Sequence, residues 1–205
     1  GRMGLNSIDV KTPLGLRQIQ VSGLGVSGGW NPNIHLTCHQ RGRPEWDAAL
    51  SAFVPSADLP KALHVAGAAN GQMTTAAAIQ DAITSAMKIT EDFGRKPSSL
   101  SIPKTSDESA SIKPFWYVTG SERGWVDQQN DVTVKDIMLA HQENFRSVEH
   151  LKRYTTLGMA TDQGKTSNVL GLAIMAHTAG QSIPDTGTTI YRPPYSPTAI
   201  GVFAG

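Results

Sequence analysis

Short extended stretches and one long stretch of helical periodicity make up the first half of the chain. A hairpin is predicted around the turn at residues 12–15, with a further strand at residues 24–28. Residues 63–67 are apolar and predict another short strand. They lead into a helix predicted from Thr74 to Phe93, after which Gly94 suits a C-terminal cap. Apolar side chains recur at helical spacing along it, at Ile79, Ile83 and Met87.

The second half predicts an exposed linker followed by three small helices. Residues 95–113 are rich in serine, lysine and proline, which is typical of a linker. Residues 115–118 then predict a short strand. The first helix is predicted from Thr133, with Asp136 completing a capping box, to about Glu143. The second runs from about Ser147 to Gly158, and the third from about Ser167 to Gly180. The last residues are extended and proline-rich, so we expect further chain after them.

Composition narrows the class of protein. The chain has 205 residues, 39% of them hydrophobic, and a formal net charge of +1, so we expect a globular core and no nucleic-acid partner. No apolar run has the length of a membrane span and no signal peptide is visible, which favours a soluble, cytoplasmic protein. The single cysteine, Cys38, excludes an internal disulfide and any cysteine-ligated zinc or iron–sulfur site.

Two glycine-rich segments are candidates for nucleotide binding. Residues 23–28 match the letters GxGxxG, but the residues that follow, Gly-Trp-Asn-Pro-Asn, do not open a regular helix. We therefore interpret this match as a strand that ends in a glycine turn. Residues 66–75 are a better candidate, because small residues join a predicted strand to the long helix. The alternative is a tight turn whose small residues serve packing alone.

A longer pattern lies between Trp125 and Asn168. It contains WVDQQNDVTVKDI and FRSVEHLKRYTTLGMATDQGKTSN, and it resembles the helical module of bacterioferritin-associated ferredoxin. That module binds a two-iron cluster through four cysteines. This chain has no cysteine at the four matching positions, so the resemblance implies a helical scaffold without a cluster. The four residues found there instead are Asp127, Gln129, Asp162 and Ser167.

This cysteine-free pattern resembles the alpha subunits of heterotetrameric sarcosine oxidases. The segment VSGGWNP at residues 26–32 and the tail YRPPY at residues 191–195 resemble them too. The fold class that follows is an α/β fragment of a Rossmann-like nucleotide-binding domain, then a small all-α, three-helix module. We predict the end of the nucleotide-binding domain in residues 1–94 and a linker in residues 95–124. The module then occupies residues 125–182, and residues 183–205 lead to an aminomethyltransferase-like domain outside this sequence.

The resemblance implies cofactors and partners that the residues alone do not. The expected reaction is the oxidative demethylation of sarcosine with oxygen, giving glycine, hydrogen peroxide, and formaldehyde or methylene-tetrahydrofolate. The alpha chain would bind NAD, with tetrahydrofolate on its absent C-terminal domain. FAD would lie on the beta subunit, FMN would lie at the alpha–beta interface, and gamma and delta subunits complete the expected complex. Alternatives are the equivalent subunit of another amine or opine oxidase, or a non-catalytic structural adaptor.

Site residues follow from the same resemblance and from local chemistry. For NAD, the resemblance implies Ala68, Met73 and Thr75 at the second glycine-rich turn. For the FMN interface, the loop after the second helix gathers cations and hydroxyls at a helix start, which suits a phosphate. We expect no catalytic residue on this chain. His35, Cys38 and His39 lack a fourth ligand, so we expect no metal site. The candidate FMN residues are Lys152, Arg153, Lys165, Thr166 and Ser167.

Overall fold

The computed structural model describes residues 4–98, 100–106, 109, 111–120, 123–193 and 196–204. Contacts divide the chain into two compact units, Gly1–Trp30 and Asn31–Gly205. Pro194 and Tyr195 of the tail motif lie outside the described residues, as do parts of the predicted linker. No described helix combines the length and apolarity that a membrane crossing requires.

The first unit contains a two-stranded antiparallel hairpin. Strand β1, Ser7–Thr12, pairs with β2, Gly15–Gln20, so that Thr12 lies opposite Gly15. The Thr12 hydroxyl donates to the Gly15 carbonyl at 2.9 Å and closes the turn. The predicted hairpin is therefore confirmed. The predicted strand at residues 24–28 is wrong: these residues pair with no described strand, and glycine at positions 23, 25 and 28 weakens extended structure.

The second unit begins with small elements and one long helix. Helix α1, His35–Cys38, precedes the antiparallel pair of β3, Glu45–Asp47, and β4, Ala52–Val54. A 3₁₀ turn, Gly67–Asn70, leads to α2, Thr75–Asp92, which the Thr74 side chain caps by accepting from Ala77 N–H. This helix lies within the predicted range.

The remaining described elements include a strand pair and four helices, the last of which is only four residues long. Strands β5, Trp125–Asp127, and β6, Val132–Thr133, form an antiparallel pair before α3, Val134–Gln142. Helix α4 is Val148–Thr155, and Ser147 caps it by accepting from His150 N–H. Helix α5 is Asn168–Ala179, and the short α6 is Ile183–Thr186. The predicted capping box of Thr133 and Asp136 is confirmed.

Helix α5 is the centre of the core. Ile174 and Met175 pack in a cluster with residues of β5, β6, α3 and α4, while Leu172 packs with Ile34 and Phe53 in a second cluster. A helix that is apolar on all sides is stable only when neighbours cover it all round. Contacts of α5 with both clusters supply that cover, and they join residues 31–54 to the helical part of the chain.

Two further predicted strands are wrong. Residues 63–67 form no strand, because Leu63 N–H bonds to the Pro60 carbonyl in a turn and Ala62 adopts a φ of 65°. Residues 115–118 are also irregular. Apolar stretches become strands only where a neighbouring strand accepts their backbone hydrogen bonds.

The predicted fold class is only partly supported. The described residues form helices and small antiparallel pairs, with no parallel sheet, so the Rossmann-like assignment is not confirmed. Three helices do lie at residues 134–142, 148–155 and 168–179. That they form a module of the ferredoxin-like kind, and that residues 1–94 end a nucleotide-binding domain, stay predictions.

Candidate functional site

Asp127 links the end of β5 to the glycine loop, which is defined here as residues 157–164. Its side chain is only 3% exposed. Oδ1 accepts hydrogen bonds from the N–H groups of Gln129 at 2.9 Å and Asn130 at 3.3 Å, and Oδ2 accepts from Gly158 N–H at 2.9 Å. A buried carboxylate is tolerated where such donors satisfy it. Asp127 therefore fixes the start of the glycine loop.

Two side-chain contacts reinforce this link. Thr161 Oγ1 donates to Gln129 Oε1 at 3.0 Å, and Asn130 Nδ2 donates to the Thr156 carbonyl at 2.9 Å. The turn after β5 and the loop after α4 are thus held together by hydrogen bonds. Asp127, Gln129 and Asp162, which are three of the four positions assigned from the sequence to the cysteines of a ferredoxin-like module, lie in these segments.

Asp162 organises the end of the glycine loop. Oδ1 accepts from Gly164 N–H at 3.0 Å, and Oδ2 accepts from Thr166 N–H at 3.2 Å and Thr166 Oγ1 at 2.7 Å. Burial acts to raise the pKa of Asp162, but the hydrogen bonds from Thr166 and Gly164, with the charge of Lys165, lower it overall. Asp162 is thus held as a carboxylate that fixes Thr166 beside the loop.

A cleft lined by cationic side chains, the basic cleft, lies between the last turn of α4, the glycine loop and residues 189–193. Its volume is about 390 Å³. Glu149 also lines it and lies 3.4 Å from Arg153 in an exposed ion pair, which contributes little to stability. Three positive charges against one negative charge favour an anion here. The cationic side chains are Lys152, Arg153 and Arg192, and the loop contributes Gly158, Met159, Ala160 and Gln163.

A second, smaller cleft of about 200 Å³ contains Lys165 and is called the Lys165 cleft. His35 lines it with only 5% of its surface exposed. The His35 ring lies 3.6 Å from the ring of Tyr191, between centroids, and its Nδ1 is 2.8 Å from Asn33 Oδ1. Burial, then the charges of Lys165 and His39, lower the pKa of His35 to about 4. The imidazole is therefore neutral at physiological pH.

The structure separates the five residues predicted at the FMN interface. Lys152 and Arg153 line the basic cleft, whereas Lys165 lines the other one, and Tyr191 lines both. Thr166 bonds to Asp162. Ser167 is 1% exposed, and its hydroxyl has no hydrogen-bond partner among the described residues. The predicted cations therefore lie on two different clefts, and the predicted hydroxyls bond to the loop or are buried.

The predicted NAD residues lie together at the start of α2. Ala68 and Thr75 are exposed, whereas Met73 is half-buried. Asp81 of α2 reaches back to the turn, where its Oδ2 accepts from Gly67 N–H at 2.9 Å and Asn70 Nδ2 at 3.2 Å. An acidic group already bound to this turn disfavours a phosphate at the same amide. The surface that remains suits an uncharged part of a ligand.

Sequence reasoning missed Arg192 and Asn168. Arg192 follows Tyr191 in the tail and lines the basic cleft. Asn168 is 5% exposed at the start of α5, and its Nδ2 donates to Thr189 Oγ1 at 3.1 Å. The YRPPY motif marked the position of Arg192 without assigning it a role. Nothing in the sequence around Asn168, which follows a serine at a helix start, indicated that its side chain would be buried beside the glycine loop.

Metal ligation finds no support in the part of the chain that the structure describes. No three or more side chains of His, Cys, Asp or Glu there are grouped so as to share an ion. Cys38 is buried, and burial raises the pKa of its thiol. The sequence-based expectation that no iron–sulfur cluster binds stays a prediction.

The part of the chain that contains these clefts is similar to proteins of known function. Residues 121–205 match the family model described as the sarcosine oxidase A3 domain. The sarcosine oxidase alpha subunit from Rhizobium meliloti (strain 1021) is 38% identical over 208 residues, covering 100% of this chain. The corresponding protein from Corynebacterium sp. (strain P-1) is 37% identical over 196 residues, covering 89% of this chain. The chain is similar to a segment of the sarcosine oxidase alpha subunit.

That resemblance, predicted from the sequence, is confirmed over a limited part of the relatives. The chain spans 21% of the length of the Rhizobium protein and 20% of the Corynebacterium one. The cationic residues of both clefts lie within residues 121–205, which match the sarcosine oxidase A3 domain. These residues are Lys152, Arg153, Lys165 and Arg192.

Two more distant proteins share features with this sarcosine oxidase-like segment. An opine oxidase subunit from Rhizobium meliloti (strain 1021) is 24% identical over 204 residues, covering 91% of this chain and 44% of its own length. The crystal structure of L-proline dehydrogenase from P. horikoshii matches with a TM-score of 0.69 and 18% identity, over 96% of this chain and 42% of the other. At that identity the match shows a common fold alone.

Proposed function

We propose that this chain is part of the alpha subunit of a sarcosine oxidase complex and forms a phosphate-binding wall for FMN at an interface with the beta subunit. The reaction is the oxidative demethylation of sarcosine, with amine oxidation at FAD on the beta subunit. Gamma and delta subunits, with a tetrahydrofolate-binding domain outside this chain, complete the complex. The similarity to sarcosine oxidase alpha subunits supports the assignment of the reaction.

The basic cleft is the observation that supports the FMN proposal. Lys152, Arg153 and Arg192 line one concave surface with residues 158–160. A phosphate monoester carries close to two negative charges at neutral pH, and arginine and lysine side chains are its usual partners in proteins. These three cations fit the FMN phosphate better than does the predicted group that included Lys165.

FMN, when bound, would supply the electron-transfer chemistry, and the residues of this chain would bind and orient it. Lys152, Arg153 and Arg192 would hold the phosphate, while Met159, which is 56% exposed, offers an apolar surface at the rim. Asp127 would act indirectly, because it fixes the loop that bears Gly158. The predicted contacts at residues 165–167 would instead support the loop and the start of α5.

We further propose that Ala68, Met73 and Thr75 contribute to an NAD site. The exposure of Ala68 and Thr75 supports access to this turn. Because Asp81 already accepts from Gly67 N–H, the pyrophosphate would lie elsewhere, and an uncharged ribose or ring would approach Ala68.

A second candidate function is the equivalent subunit of an opine oxidase. The 24% identity to an opine oxidase subunit, over 91% of this chain, favours it. The basic cleft would serve the same purpose there, so binding of FMN does not separate the two candidates. Assaying sarcosine and an opine with the complete complex would separate them.

Comparing FMN with riboflavin tests the FMN proposal, because the two differ only in the phosphate. Each flavin is titrated into the isotopically labelled 205-residue chain, and amide signals of residues 158–160 are followed by NMR. We expect FMN to bind at least about tenfold more tightly than riboflavin, since charge-assisted contacts to a phosphate are worth about 1.5–3 kcal/mol each. The preference should disappear in the triple variant Lys152→Ala, Arg153→Ala, Arg192→Ala.

The matched control replaces three cations outside the cleft, Lys88, Lys135 and Arg146, by alanine. That variant has the same net charge as the first, so it separates a local site from general electrostatic attraction. Equal affinity for the two flavins, or an equal loss of preference in both triple variants, would refute the FMN proposal.

The NAD proposal has a separate test. Saturation-transfer NMR with NAD and the same chain should give signals from the nicotinamide or adenine protons. Ala68→Trp should abolish them, because the larger side chain fills the surface of the turn. Unchanged saturation transfer in Ala68→Trp would show that NAD does not contact this turn.

A further inference from the structure

The side chain of Asn168 lies between the two glycines of the glycine loop. Gly158 and Gly164 both adopt left-handed backbone conformations, with φ values of 69° and 78°. A Cβ atom added to either glycine would collide with the Asn168 carboxamide. The carboxamide therefore packs directly against both turns of the loop, in space that only glycine leaves open.

The same carboxamide also reaches a second segment that lines the basic cleft. Its Nδ2 donates to Thr189 Oγ1 at 3.1 Å in a buried hydrogen bond. Burial raises the pKa of Tyr191, and a hydrogen bond from the Asn168 side chain partly opposes that increase. Asn168 thus touches the glycine loop on one side and residues 189–191 on the other.

Both of these segments line the basic cleft. Gly158 belongs to the wall formed by the glycine loop and the end of α4, whereas Thr189 and Tyr191 precede Arg192 in a second wall formed by residues 189–193. Asp127 fixes the first wall through Gly158 N–H. Thr189 lies three residues before Arg192, so its buried hydrogen bond with Asn168 fixes the chain that places this arginine in the second wall.

We propose that Asn168 is a positioning residue that holds the Arg192 wall of the basic cleft at the correct separation from the Lys152 and Arg153 wall for a phosphate group. Asn168 does not touch the ligand. It acts by joining the glycine loop to Thr189. This inference rests on the anion-binding role in the proposed function, but it does not depend on the anion being FMN.

The test uses inorganic phosphate as the probe and the 205-residue chain as the protein. Phosphate affinity is measured from amide shifts of residues 158–160 in wild type, Asn168→Ser and Thr189→Val. Thr189→Val removes the acceptor of the hydrogen bond with little change in shape and leaves the packing against the glycines intact. We expect the dissociation constant to rise about fivefold in each, the equivalent of one neutral hydrogen bond. Thr178→Val, which removes a hydroxyl near the other end of α5, should leave it unchanged.

A double-mutant cycle separates positioning from a general loss of stability. If Asn168 acts through the Arg192 wall, Asn168→Ser should weaken phosphate binding about fivefold in wild type and little in the Arg192→Gln background. Equal fold-changes in both backgrounds, or wild-type affinity in both Asn168→Ser and Thr189→Val, would overturn the inference while leaving the FMN proposal intact. Phosphate binding without a preference for FMN would refute the FMN proposal alone. A wild-type chain that binds no phosphate would overturn both.

Discussion

His35 makes the stability of the second unit depend on pH in a defined window. Its imidazole is 5% exposed, and burial together with the charges of Lys165 and His39 lowers its pKa from 6.5 to about 4. Between these values the unfolded chain binds a proton that the folded chain does not. Stability conferred by the neutral imidazole is therefore fully present above pH 6.5 and decreases as the pH falls towards 4.

The size of the effect follows from that difference. Each pH unit changes the free energy of unfolding by at most about 1.4 kcal/mol for one such group, which gives a total loss of up to about 3 kcal/mol across the window. Domains of this size are stable by about 5–15 kcal/mol, so the loss is measurable. Asp162 contributes at lower pH, because its lowered pKa makes its stabilising effect disappear only as the pH falls below about 3.8.

Urea unfolding followed by circular dichroism at pH values from about 4.5 to about 7.5 measures this dependence. His35→Gln removes the titrating group, and we expect its unfolding free energy to change less with pH than that of wild type, although its stability at neutral pH is lower. His150→Gln, at an exposed position on α4, is the matched control and should retain the wild-type slope. Identical slopes for wild type and His35→Gln would show that burial does not hold this imidazole neutral.

Two further predictions concern the glycine loop. Asp127→Asn places an N–H donor where the carboxylate accepts backbone N–H groups, so we expect urea unfolding to show a loss of about 2–4 kcal/mol; a loss below about 1 kcal/mol would contradict the anchoring role. Gly164→Ala should cost about 2–4 kcal/mol, because backbone strain adds to a collision with Asn168. Gly180→Ala, with left-handed backbone but open space, should cost only about 1 kcal/mol, and equal losses would exclude the collision.

The helix starts could be predicted from the sequence, because the hydrogen bonds that form them join residues close together in the chain. Thr133 with Asp136, and Ser147 by itself, start helices by bonding to groups three residues away, so the signal is complete within one segment. The strand predicted at residues 63–67 failed because a strand needs a partner elsewhere in the chain, which an apolar stretch does not reveal.

The candidate site could be predicted only in part, for a related reason. Lys152 and Arg153 lie on one α4 turn, so their proximity was visible in the sequence. Arg192 joins them from the tail, which the Asn168–Thr189 hydrogen bond ties to the start of α5. Lys165 is close to Lys152 in sequence, yet it follows the turn that Asp162 organises and lines the other cleft.

The separation of the two clefts bears on which one suits a phosphate. In the Lys165 cleft the positive charge of Lys165 acts on a buried imidazole and contributes to lowering the pKa of His35. An anion bound there would favour protonation of His35 and oppose the burial that keeps the imidazole neutral, so part of its binding free energy would be spent on that change. His35 lines the Lys165 cleft and is not among the residues that line the basic cleft, so an anion bound in the basic cleft does not carry this cost. A phosphate dianion is therefore better accommodated on the side of Tyr191 that carries Arg192.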